Sequence, residues 1–165
     1  MELTSREILE AFIITNVSVD GIQQQGIDVR VNKISKVSEY VSGVIPKEGK
    51  STIPGTNELP TNNGYYSLQP GYYEVELMEG CDIPSDAALH FKTRSSLVRC
   101  GAIVHSGQFD AGFKTDNMGC FLHVIHPIVI EKGARIAQAI VFSTSKVKYE
   151  DLYDGQWQND KQRKQ

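Results

Sequence analysis

Residues 65–80 read YYSLQPGYYEVELMEG, and this run decides the fold class. The Pro70-Gly71 pair is a turn signal that divides it into two extended segments. In the second, Tyr73, Val75 and Leu77 alternate with polar residues, which gives a strand with one apolar face. The same rhythm occurs upstream in residues 22–34, IQQQGIDVRVNKI, where Ile27, Val29 and Val31 alternate with Asp28, Arg30 and Asn32. Downstream, residues 119–142 (GCFLHVIHPIVIEKGARIAQAIVF) predict two apolar strands around a Glu-Lys-Gly turn. Residues 42–64 are rich in Gly, Pro, Ser, Thr and Asn and read as long turns, with no material for a second core. The chain opens with one helix signal, a Thr4–Glu7 capping box followed by Ile8, Leu9 and Phe12 on one face. Short strands punctuated by Gly and Pro, with one short helix as a lid, predict an all-β barrel or jelly roll.

The bulk numbers fit that picture. A chain of 165 residues suits one domain, and 40% hydrophobic content with a formal net charge of −3 argues against disorder and against an extended nucleic-acid footprint. Cys81, Cys100 and Cys120 are odd in number and lack CxxC spacing, so no disulfide framework is expected. No apolar run approaches the ~18 residues of a membrane span. The N-terminus lacks the basic-then-apolar order of a signal peptide, so a cytoplasmic location is expected.

The chemistry concentrates in residues 94–113, RSSLVRCGAIVHSGQFDAGF. Arg94, Ser95 and Ser96 offer one fixed cation, two hydroxyls and nearby backbone N–H groups, a set suited to phosphate oxygens. Asp110 lies in a Phe-Asp-Ala-Gly-Phe turn and can hold a water if a phosphate sits opposite. Other arrangements fit poorly. His123 and His126 are three apart on a predicted strand, hence on opposite faces, and no Cys pair completes a zinc site. His105 and Ser106, near Asp110, are adjacent and point apart in a strand, so they make no Ser-His-Asp triad.

QGIDVR (25–30) resembles the first motif of the dUTPase and dCTP deaminase superfamily, the 94–113 stretch its second and third, with CDIPSDAALHFKTRSSL (81–97) matching the run that leads into the serines, and GARIAQ (133–138) its fourth. The tail, YEDLYDGQWQ (149–158), resembles that of the deaminases and the deaminase-like archaeal dUTPases. The resemblance implies a distorted jelly-roll domain over residues 1–150. It also implies a tail over 151–165, mobile when unliganded, that closes over the nucleotide. Two reactions run on this scaffold. Deamination needs a Glu on the strand after the third motif, and no Asp or Glu occurs between Gly119 and Pro127, where His123 or Val124 takes the place. Arg99 matches the deaminases' second arginine but lacks that partner.

The resemblance therefore implies a dUTP diphosphatase that releases dUMP and pyrophosphate. Asp110 matches the carboxylate that activates water, and Mg²⁺ would bridge the phosphates, with Asp28 reaching it through a water. Arg94, Ser95, Ser96, Arg135 and Gln138 would ground the phosphates. Gln108 and Arg99 would also line the nucleotide, Phe113 would pack on the deoxyribose, and Tyr153, Trp157 and Gln158 would close over it. A homotrimer with sites between subunits is implied as well, with no membrane or nucleic-acid polymer as partner. The alternatives are a dCTP deaminase, alone or bifunctional, a diphosphatase for another deoxynucleotide, and a non-catalytic nucleotide-binding regulatory module. Two departures matter here. The interval from Arg94 to Asp110 is a few residues shorter than usual where base recognition is expected, and KTDNMG (114–119) adds Asp116, read as a solvated turn residue.

Overall fold

A computed structural model of the chain describes residues 1–155, Trp157 and Gln158. Thr4 caps the first helix, α1 (Ser5–Glu10), and Glu7 returns the bond to the Thr4 backbone, as the capping box requires. Ile8 is fully buried, but Phe12 is 77% exposed, against the expectation that it shares the buried face. The helix stops at Glu10, and Phe12 takes a positive φ of 53° in the turn that reverses the chain, which rotates its side chain off the core.

The strands are β1 (Ile14–Thr15), β2 (Ile27–Val37), β3 (Thr56–Glu58), β4 (Tyr65–Leu68), β5 (Gly71–Leu77), β6 (Gly80–Asp82) and β7 (Ala87–Thr93). After a second helix, α2 (Ser95–Arg99), come β8 (Ala102–His105), β9 (Lys114–Thr115), β10 (Gly119–Val124), β11 (Ile128–Glu131) and β12 (Arg135–Ser143). The two strands expected after Gly119 are thus three, because β11 leaves the main sheet to pair with β4. The long turns expected over 42–64 contain β3, which extends β2, and a bridge between Val44 and Thr52.

The principal sheet runs β7-β12-β2-β5-β10-β8 with antiparallel pairings. Its two ends meet. Thr93 Oγ1 of β7 accepts the Val104 N–H of β8 at 3.0 Å and donates to the Val104 carbonyl at 3.3 Å. Side chain therefore continues the ladder where backbone does not, and the sheet becomes a nearly closed barrel, which leaves little free edge. The apolar positions of β2, β5 and β10 (Val29, Val31, Val75, Leu77 and Leu122) are 0% exposed and fill it. Each such side chain contributes about 1.5–3 kcal/mol of burial. The all-β jelly-roll-type barrel expected from the alternation is the fold observed. Cys81 and Cys120 are buried and Cys100 is exposed, and no disulfide joins any of them. Among the described residues no helix is long and apolar enough to cross a membrane.

Candidate active site

At the end of β2 the polar face is not solvated. Asp28 is 2% exposed, and its Oδ2 lies 3.1 Å from Arg94 Nε and 3.5 Å from an Arg135 guanidinium nitrogen. Gln23 donates to the same oxygen at 3.3 Å. Strand register explains the meeting. Gln138 of β12 stands opposite Asp28, which brings Arg135 alongside, and Arg94 follows directly on β7, the other neighbour of β12. Arg94 also donates to the Arg135 carbonyl at 3.1 Å, so the two guanidinium groups are held as a pair. Burial pushes the Asp28 carboxyl above its ordinary range, with the two arginines pulling the other way. Ser95 and Ser96 open α2 beside Arg94 and are exposed, as is Arg99 at its end.

The nearer arginine in sequence, Arg30, takes no part in this group. Its Nε pairs with Glu79 Oε1 at 2.6 Å, and its backbone N–H donates to Glu79 Oε2 at 2.7 Å. Glu79 is 0% exposed, so this is a buried structural ion pair. An acidic residue 49 positions away gives no sequence signal of such a partner.

Asp110 stands elsewhere. The 110–113 turn closes with Phe113 N–H on the Asp110 carbonyl at 3.0 Å and with Gly112 at a φ of 87°. Asp110 is exposed to a cleft of about 620 Å³, and Gln108 Nε2 donates to its Oδ1 at 2.8 Å. Gln108, Phe113, Tyr153 and Trp157 line the same cleft. Phe113 is buried and sits edge-on between Phe109, at 5.3 Å, and Tyr153, at 5.4 Å between ring centroids. The tail follows the 111–114 backbone. Tyr153 N–H donates to the Ala111 carbonyl at 2.9 Å, and Gln158 accepts from Lys114 N–H at 2.8 Å and donates to the Gly112 carbonyl at 2.7 Å. Gln156 and residues 159–165, on which the mobility expected of the tail's end falls, lie outside the described residues. Asp116 is an exposed turn residue, as read.

The sequence-predicted residues thus fall into two groups. Asp28, Arg94, Arg135 and Gln138 gather where β2, β7 and β12 meet, and none of them lines the Asp110 cleft. The family model described as dCTP deaminase-like matches residues 2–144. The chain belongs to the dCTP deaminase-like family.

Over 145 residues it is 35% identical to the "Deoxyuridine 5′-triphosphate nucleotidohydrolase" of Methanocaldococcus jannaschii, covering 85% of this chain and 91% of that one. Over 150 residues it is 33% identical to the "Probable deoxyuridine 5′-triphosphate nucleotidohydrolase" of Halobacterium salinarum, covering 88% of this chain and 87% of that one. Among solved structures, the 2′-deoxycytidine 5′-triphosphate deaminase of Agrobacterium tumefaciens superposes with a TM-score of 0.62 at 20% identity. It covers 85% of this chain and 47% of that one, a likeness of fold. Within this dCTP deaminase-like domain, the sequence did not single out Tyr72, Glu74 or Phe121, which also line the cleft. They sit on strands whose alternation shows only which side faces out.

Among the described residues no three His, Cys, Asp or Glu side chains form a group able to hold a metal ion. The contacts of Asp28 with the two guanidiniums and Gln23 all fall on its Oδ2. A hard ion such as Mg²⁺, which keeps most of its ligands as water and phosphate oxygen, fits here as an ion carried by a nucleotide.

Proposed function

We propose that this protein is a dUTP diphosphatase. The names of its relatives, deoxyuridine 5′-triphosphate nucleotidohydrolases, support the hydrolase class and the substrate. The observation that carries the chemistry is Asp110, a carboxylate oriented by Gln108 on an aromatic-lined cleft, with its Oδ2 left for water. On this reading the nucleoside enters between Phe113 and the tail, and Asp110 takes the proton from a water aimed at the α-phosphorus. The water's oxygen joins that phosphorus as the bond to the bridging oxygen breaks, giving dUMP and pyrophosphate. Arg94 and Arg135 neutralise the charge gathering on the leaving pyrophosphate, helped by Ser95, Ser96 and Gln138. Mg²⁺, when carried in on the phosphates, supplies further charge neutralisation. Asp28 keeps the two guanidiniums aligned before the triphosphate arrives. Because the cationic pair does not line the cleft of its own chain, the complete site is assigned to the seam between copies, which accords with a homotrimer.

The tail acts as the closing element. Its seat depends on Gly112, where a Cβ would meet Leu152 Cβ at 2.8 Å and Tyr153 N at 3.1 Å on top of the positive φ. Gly112→Ala, and likewise truncation before Tyr153, is expected to lower kcat/KM by about 100-fold through misplaced substrate groups, with a much smaller change in melting temperature. Full activity in the truncated chain would remove the tail from the mechanism. The broad test is incubation with a panel of deoxynucleoside triphosphates, with pyrophosphate and ammonia scored separately. Pyrophosphate from dUTP without ammonia from dCTP is expected; ammonia would favour a deaminase, and binding without turnover a regulatory module.

A further inference from the structure

The cleft carries a carboxylate that the proposed mechanism leaves unused. Glu74 is half-buried on β5 and lines the same cleft as Asp110. Among the described residues its side chain makes no hydrogen bond and no ion pair, in contrast to Glu76 two residues on. Register fixes its surroundings. Glu74 stands opposite Phe121 of β10, so both point to the same face of the sheet, and Tyr72 is the next outward position on β5. The Tyr72 and Phe121 rings are stacked, 5.0 Å apart and 8° from parallel. The cleft is therefore lined by a stacked aromatic pair with one bare acceptor beside it.

That combination matches the edge and face of a heterocyclic base. A flat ring lies on aromatic carbon, and a carboxylate, which only accepts, recognises an N–H in the ring plane. We infer that Glu74 is a specificity-determining residue that accepts the imino N3–H of a uracil-type base lying against Tyr72 and Phe121. This rests on the dUTP reading but assigns a group to the base itself. A desolvated carboxylate left unpaired is penalised, so a base lacking that N–H is rejected.

The test is a cycle of two removals. Wild type and Glu74→Ala are each measured for binding of α,β-imido-dUTP and its N3-methyl analogue by calorimetry, and for pyrophosphate release from the parent triphosphates. The expected result is a loss of about 10–100-fold for the methylated nucleotide on wild type, a similar loss for Glu74→Ala with dUTP, and little further loss when both changes are combined. Glu74→Gln, which keeps an acceptor, should retain most of the dUTP affinity. Losses that simply multiply, or none at all in Glu74→Ala, would overturn the assignment, as would absence of uracil-nucleotide binding to wild type. Release of ammonia from dCTP that disappears in Glu74→Gln would overturn it in favour of a reacting carboxylate. Binding with the predicted cycle but no pyrophosphate would sink the hydrolase reading alone.

Discussion

Asp110→Asn is expected to lower pyrophosphate release from dUTP by about 10²–10⁴-fold while leaving nucleotide affinity close to wild type. The substitution keeps size and shape, and the asparagine carbonyl can still accept the Gln108 N–H now found at 2.8 Å. What it removes is basicity, since an amide cannot take a proton from water near neutral pH. The aromatic cleft and the Arg94–Arg135 pair are untouched, so substrate should still bind. Single-turnover kinetics with a parallel binding titration would separate the two effects. Turnover within a few-fold of wild type would remove Asp110 from the role of base.

Arg30→Met should be the most damaging single change to stability that touches neither the cleft nor the arginine pair. It leaves the Glu79 carboxylate, 0% exposed, without its charged partner. Breaking such a pair typically costs about 3–5 kcal/mol. Arg30 is partly exposed and its backbone N–H would still serve Glu79, so the lower end, about 3 kcal/mol, is expected. For a chain of this size that is a fall of roughly 6–12 °C in melting temperature. Adding Glu79→Gln should recover part of the loss by removing the stranded charge. A melting temperature unchanged in Arg30→Met would mean that Glu79 is compensated by some other group.

The barrel was legible because its signals are local. Alternation in β2 and β5 identified the inward positions, Val29, Val31, Val75 and Leu77, and the Thr4–Glu7 pair located the start of α1. Period two says which side of a strand is apolar but not what covers the other side. Asp28 is therefore buried on a face that reads as solvated, beneath arginines 66 and 107 positions further along. The same limit hid the Arg30–Glu79 pair and the exposure of Glu74 to the cleft, both of which depend on register between strands distant in sequence. The α2 helix spans only Ser95–Arg99, too short for helical periodicity to register. Phe12 fell outside the expected face because one residue at positive φ ended the helix. Ordered motifs carried more information than periodicity did. They marked Asp28, Arg94 and Arg135, which the fold brings within bonding distance, but not the separation of that group from the cleft of Asp110.

Attack of water on the α-phosphorus is the central step, and hydrolysis of dUTP in ¹⁸O-labelled water reads it directly. Asp110-directed attack predicts one ¹⁸O in the dUMP phosphate and none in pyrophosphate. Label in the pyrophosphate, or in inorganic phosphate released from the γ position, would contradict it.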